Sequence, residues 1–191
     1  MNRRKSIAAG ALLAFFLVPI FVMAQTSEKE EFAGNVYWVA AGPASGQTSR
    51  LTMTVERWTT DEERMELYTI LKDKGSDELL KAMRKTTVGY LRFTGTIRYP
   101  LNIASSFQTE KGRLIRLICE RPIQPAELMG RTPARTRDYE FGVIEFTLDE
   151  SGKGEGTMIP TAKIMLNEEG QIVVETLGTG PQKLLNVKTL K

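Results

Sequence analysis

The chain has 191 residues, with 26 Lys+Arg against 23 Asp+Glu, no histidine and one cysteine. The missing histidine excludes Ser-His-Asp and Cys-His catalysis, His-ligated zinc or copper and the usual general base near neutral pH. A lone cysteine excludes thiolate zinc, iron–sulfur clusters and an internal disulfide.

The first 24 residues have the three-part pattern of a secretory signal peptide. Arg3, Arg4 and Lys5 form a positive start, residues 7–23 are apolar apart from Gly10 and Pro19, and Val22-Met23-Ala24 offers a cleavage site before Gln25. The apolar run is short for a span and is interrupted by Pro19, which favours cleavage over an uncleaved anchor. Cys119 lies far from the site, so no lipoprotein cysteine follows it. A secreted or periplasmic protein is expected, with no membrane span after cleavage. The three cations of residues 1–24 face no acid there, so the rest of the chain balances at 23 against 23. The basic pI therefore gives no ground for a nucleic-acid partner.

Residues 25–31 read as a flexible polar N-terminus, and residues 32–191 as a single β-rich domain. After a strand at Phe32–Ala41 and a loop at Gly42–Gly46, Leu51, Met53 and Val55 alternate on one face of the next strand. The period then lengthens. Thr60 and Glu63 have capping-box spacing, Met65, Tyr68, Leu67 and Leu71 mark a helical face, and Gly75 ends the helix. Ser76 is the expected cap of a second helix with Leu79, Leu80 and Met83 on its apolar side. The helical insertion spans about 61–85 and is read as a connection packed over the sheet rather than as a lid.

These residues also carry a resemblance. Leu51–Arg64, Glu120-Arg-Pro-Ile123, Asp138-Tyr-Glu-Phe141, Gly152–Gly156 and Leu185–Lys188 resemble a family of uncharacterised secreted bacterial proteins of about this length. The resemblance implies a single secreted domain and assigns no activity, cofactor or catalytic residue.

Further strands are expected at Val88–Phe93, Thr96–Phe107, Leu114–Glu120, Tyr139–Leu148, Thr157–Leu166, Ile172–Leu177 and Lys183–Val187. Within Thr96–Phe107, Ile97, Tyr99, Leu101 and Ile103 alternate, and Pro100 signals an edge or a bulge. Residues 122–138 are irregular, with room for a helical turn at Ala126–Met129. The whole is mainly β: an antiparallel meander of 8–9 strands, closing as a barrel or a two-sheet sandwich. Its size and connectivity match lipocalin-type barrels, but Gly34 and Trp38 are too far apart for their Gly-x-Trp signature.

No cofactor or metal motif is present. Gly152-x-Gly154-x-Gly156 lies in a strand-to-strand hairpin rather than before a helix, and the Asp149–Gly154 turn has Lys153 where a calcium loop wants an oxygen. Glu56, Glu120, Glu140, Glu145 and Glu175 lie in strand-like runs and would need a facing pair to support carboxylate chemistry. Cys119 shares parity with Ile115 and Leu117, so a buried inert thiol is expected. One charge asymmetry remains. Arg113, Arg116, Arg121, Arg131, Arg135 and Arg137 concentrate in residues 111–137, and arginine suits bidentate recognition of carboxylate or phosphate. This block is the candidate ligand-binding patch, set against a solvated face or an internal ion-pair network. The sequence thus favours a non-enzymatic binding domain for a small or extended, anionic ligand. A cell-envelope structural or protein-interaction module is the alternative, with a small-molecule or envelope-protein partner. An enzyme restricted to carboxylate or Arg/Lys chemistry ranks third.

Overall fold

The computed structural model describes residues 13–14, 29–39, 45–123, 139–176 and 180–190. The expected signal segment apart from Leu13–Ala14, the cleavage site expected after Ala24, residues 25–28, Gly42–Ala44 and the stretch 124–138, including Ala126–Met129, lie outside the described residues. The strands are β1 (Leu13–Ala14), β2 (Glu30–Tyr37), β3 (Thr48–Val55), β4 (Gly89–Phe93), β5 (Tyr99–Leu101), β6 (Ile103–Thr109), β7 (Gly112–Cys119), β8 (Phe141–Leu148), β9 (Lys153–Leu166), β10 (Ile172–Thr176) and β11 (Gln182–Leu190). Helices α1 (Asp61–Lys74) and α2 (Ser76–Met83) fall between β3 and β4. Nine strands run antiparallel in the order β5-β4-β3-β2-β11-β9-β8-β7-β6, a nearly closed barrel-like sheet, while β10 pairs with β9 and β1 with β10 off this path.

The two ends of that order, β5 and β6, are consecutive in the chain and separated only by Asn102. β5 pairs with β4 and β6 with β7, so one bent strand reaches both sides of the seam. The Asn102 backbone N–H donates to Ile118 O (2.9 Å). Its side-chain amide donates to Met83 O (3.0 Å) and Thr86 O (2.8 Å), and its Oδ1 accepts from Glu120 N–H (2.8 Å). The bend resets the alternation. Leu101 and Ala104, three apart, both enter the barrel core, and Ile103 packs outside it. Of the face expected from Ile97, Tyr99, Leu101 and Ile103, only Tyr99 and Leu101 point inward. Ile97 is 67% exposed just after the Thr94–Thr96 turn. Pro100 lies in β5, the end strand of the order, as the edge reading expects, and the bend follows two residues later at Asn102.

The barrel is filled by large side chains. Phe32 meets Phe146 edge-on at 5.3 Å, among Leu51, Met53, Val55, Ile115, Leu117, Cys119, Met158 and Leu184, all essentially inaccessible. Trp38, Phe93 and Tyr99 line up at centroid spacings of 6.1 and 6.3 Å. A second core lies outside the barrel, where α1 and α2 cover β8, β9 and β10 with Leu71, Leu79, Leu80 and Met83 against Phe141, Val143, Ile159, Ala162, Ile164 and Val174. β9 serves both cores by alternation, Met158 inward and Ile159 outward. A register shift around Pro160, whose missing N–H suits that break, sets Ile159 and Ala162, three apart, on the same outer side.

The α1 start is the expected capping box, with Glu63 N–H donating to Thr60 Oγ1 (3.2 Å) and Thr60 N–H to Glu63 Oε2 (2.9 Å). Two helical details differ from expectation. Met65 is 64% exposed, and the buried stripe is Leu67, Ile70 and Leu71, which the second core selects over Met65. The cap of α2 is Gly75, at φ 81°, while Ser76 is the first helical residue and makes no capping bond. β2 also starts at Glu30 rather than Phe32: Glu30 and Glu31 already pair with Val55 and Thr54 of β3, and Arg113 holds the Glu30 carboxylate. Among the described residues no helix is long and apolar enough to cross a membrane.

Candidate functional site

The arginine block is described for Arg113, Arg116 and Arg121; Arg131, Arg135 and Arg137 lie outside the described residues. Arg113 has the inward parity of Ile115. At one end of the barrel it meets Glu30 through two bonds of 2.7 Å, donates to Ser106 Oγ (2.7 Å) and lies over the Trp58 ring at 5.0 Å. Arg116 has the outward parity. It bonds its cross-strand neighbour Glu145 at 2.6 and 2.8 Å and, like Arg64, lies beside the Phe107 ring. Burial pulls its guanidinium pKa below the ordinary arginine value, and the adjacent Glu145 opposes that shift. Arg121 stacks on Tyr99 at 4.5 Å. These three therefore occupy an interior mouth, an outer wall and the far end of β7, each with a partner inside the fold.

The strand carboxylates are dispersed in the same way. Glu145 takes Arg116, Glu120 takes Arg84 at 2.8 Å, and Glu56 and Glu175 are exposed. Among the described residues no cluster of three or more acids or cysteines could hold a metal ion. The Asp149 carboxylate is used by its own turn, accepting from Ser151 Oγ and from the backbone N–H groups of Ser151 and Lys153. The Ser151 bond leads the interactions that hold its pKa below the usual carboxylate value. Cys119 is fully buried and free, and burial pushes its thiol far above the ordinary range.

A different surface gathers cations. The helices cover only the β8–β9–β10 side of the sheet, so among the described residues no helix covers the outer face of β11, β2, β3, β4 and the first half of β9. Strand pairing sets residues side by side on it. Lys153 pairs with Lys188, Lys188 with Ala33, Ala33 with Thr52, and Thr52 with Arg92. The adjacent row carries Asn35 paired with Arg50, and the next carries Thr157, Lys183, Tyr37 and Thr48. Arg98 lies over the outward Tyr90 ring at 4.2 Å. Arg50, Arg92, Lys153, Lys183 and Lys188 are all exposed and make no ion pair among the described residues. Several cations elsewhere are matched, Arg57 with Glu63, Arg64 with Asp61, Lys81 with Glu78 and Arg84 with Glu120. The other lysines outside any ion pair among the described residues, Lys72, Lys74, Lys85, Lys111 and Lys163, are spread over the helical insertion, a hairpin turn and the far half of β9. Glu155 and Glu31 share the open face, and Glu31 is paired with Lys29 at 2.8 Å.

The face is indented over Ala33. Asn186 adopts a left-handed conformation (φ 52°) at a bulge of β11, which lets Leu184 and Val187, three apart, both face the core. Gly34 yields to this bulge: a Cβ there would stand 3.1 Å from Leu184 Cδ1 and 3.2 Å from Val187 Cγ2. Beside it is an open depression of about 230 Å³ lined by Ala33, Gly34, Asn35, Arg50, Asn186 and Lys188. Two cations and two amides with no acid make it an anion-compatible hollow.

No family model, curated protein or solved structure matches the chain.

Sequence reasoning missed this face because its members are scattered. Arg50 and Lys188 lie on β3 and β11, far apart in the chain, and meet only through β2. Strand alternation places each cation outward, but only the pairing order makes them neighbours.

Proposed function

We propose that this is an exported, non-enzymatic domain that binds an anionic ligand on the open face of β9, β11, β2, β3 and β4. The observation that supports it is the gathering of Arg50, Arg92, Lys153, Lys183 and Lys188, exposed and outside any ion pair among the described residues, on one sheet face around the Ala33 depression. Exposed unpaired charges attract ligands without first breaking an internal pair, whereas Arg113 and Arg116 would have to surrender a carboxylate. The barrel interior is occupied by its own aromatic and aliphatic side chains, so the reading places the ligand outside it. Export rests on the charged start, the apolar run and Val22-Met23-Ala24.

The test is calorimetric titration with citrate and with polygalacturonate at low and at physiological salt. Binding is expected at low salt, weaker at physiological salt because exposed charges are then screened beyond about 8 Å. It should be weakened about tenfold or more by R50E/K188E, as expected when a hydrogen-bonded charge contact is reversed. The same charge change on exposed α1 residues, K72E/K74E, should leave it intact. An absence of binding to either anion at low salt would overturn the proposal.

A further inference from the structure

The rows on the open face also say what shape the anion has. We infer that it is a linear acidic polysaccharide of the polyuronate class, lying across the strands rather than along them; this rests on the anion-binding reading above. In the row Lys153–Lys188–Ala33–Thr52–Arg92, charges at both ends flank a small central residue. Four inter-strand steps of about 4.8 Å make this row roughly 19 Å long. Arg50 and Asn35 flank its middle on the adjacent row, and the hollow over Ala33 lets a chain sink between Arg50 and Lys188. A compact anion could use the hollow but would leave Lys153 and Arg92 unvisited. A chain with one charge per sugar ring reaches all of them.

The neutral groups on the same surface distinguish a glycan from a nucleic acid. Asn35, Asn186, Thr48, Thr52, Thr94 and Thr157 supply amides and hydroxyls suited to sugar hydroxyls. Single-stranded nucleic acid is instead held by open aromatic platforms. Here the Tyr90 ring is already stacked by Arg98, Trp38 and Trp58 are buried, and the half-buried Tyr37 is a single ring rather than a platform for successive bases.

The experiment titrates the protein as isolated after export, with oligogalacturonates of increasing length, their methyl esters and a single-stranded oligoadenylate. Affinity should rise with length and level off at about five units, one per strand along the row. Neutral esters should bind poorly. R92A/K153A should weaken long oligomers about tenfold through lost multivalency and short ones hardly at all, whereas R50A should weaken every length. If the monomer binds as tightly as the longest oligomer, the extended ligand is wrong and the anion-binding reading survives. Tighter binding of oligoadenylate than of polyuronate overturns the glycan assignment. If no anion binds, both readings fall together.

Discussion

Glu30 and Arg113 close one end of the barrel by facing each other through two bonds of 2.7 Å, with Trp58 donating its indole N–H to the same carboxylate (3.2 Å) and lying under the guanidinium. Each partner answers a cost created by the others. Trp58 buries an apolar ring whose N–H needs an acceptor, Glu30 supplies it, and Arg113 neutralises Glu30. R113A should destabilise the domain by roughly 2–3 kcal/mol in urea unfolding, because it leaves a half-buried carboxylate unmatched. R113K keeps the charge but loses the fork and should fall between. Since the pair acts as a unit, E30A/R113A should cost less than the sum of the single changes by about 1 kcal/mol or more. Additive losses would show that the two are merely neighbours.

Asn102 carries the seam. N102A strands one carbonyl, Thr86 O, and one N–H, that of Glu120, and removes one of two donors to Met83 O, which keeps the Thr86 N–H. At about 1–3 kcal/mol per stranded buried group, discounted for water entry at the rim, a loss of roughly 2–4 kcal/mol is expected. N102D keeps the acceptor for Glu120 but sets a carboxylate against the two carbonyls, so it should be at least as costly as N102A. Thermal unfolding of both variants measures this, and N102D as stable as the parent would show that the α2 end does not depend on the seam.

The strands of this fold could be read from alternation because most are half-buried, with one face on a dry interior. Leu51, Met53 and Val55, and Ile144, Phe146 and Leu148, keep their parity into the core. Alternation failed where the chain changes face. Asn102, Asn186 and the Pro160 region each insert a residue, and neither an asparagine nor a proline says whether it does so. The helical apolar stripe was misplaced by Met65 because a helix has several apolar residues, and the second core it meets selects among them. The arginine block was visible as composition, but its partners Glu30 and Glu145 come from other strands. The open cationic face was invisible for the same reason. Its rows exist only after β11 closes between β2 and β9.

Cys119 reports on the intact barrel. It is fully buried beside Leu117, and burial pushes its pKa upward, so little thiolate forms and reagents cannot reach it. A disulfide reagent at neutral pH should react with the folded protein only as fast as the protein opens, and rapidly once denaturant unfolds it. Labelling of the native protein at the rate of a free thiol would overturn the inward register of β7.

Glu63 has two tasks, and pH separates them. Its carboxylate caps the Thr60 N–H and also bonds both Arg57 nitrogens at 2.8 Å. The Arg57 bond is the main cause that holds the Glu63 pKa below its ordinary 4.5, with the Thr60 N–H helping. A carboxyl depressed in the folded state stabilises fully above about 4.5, and that stabilisation is lost as pH falls through the lower folded value. E63Q can still accept from the Thr60 N–H, so it keeps the capping geometry while losing the charge. The parent should therefore be more stable than E63Q at neutral pH, with the gap closing below pH 4.5. The side chains are about a third exposed, so the gap should also shrink with added salt. T60A acts differently: it removes the acceptor for the Glu63 N–H and should cost about 1 kcal/mol at every pH. Thermal unfolding across pH 3–7 compares the three proteins. A parent–E63Q gap that stays constant down to pH 3 would mean that the charge of Glu63 contributes nothing, and that the start of α1 is held by the cap alone.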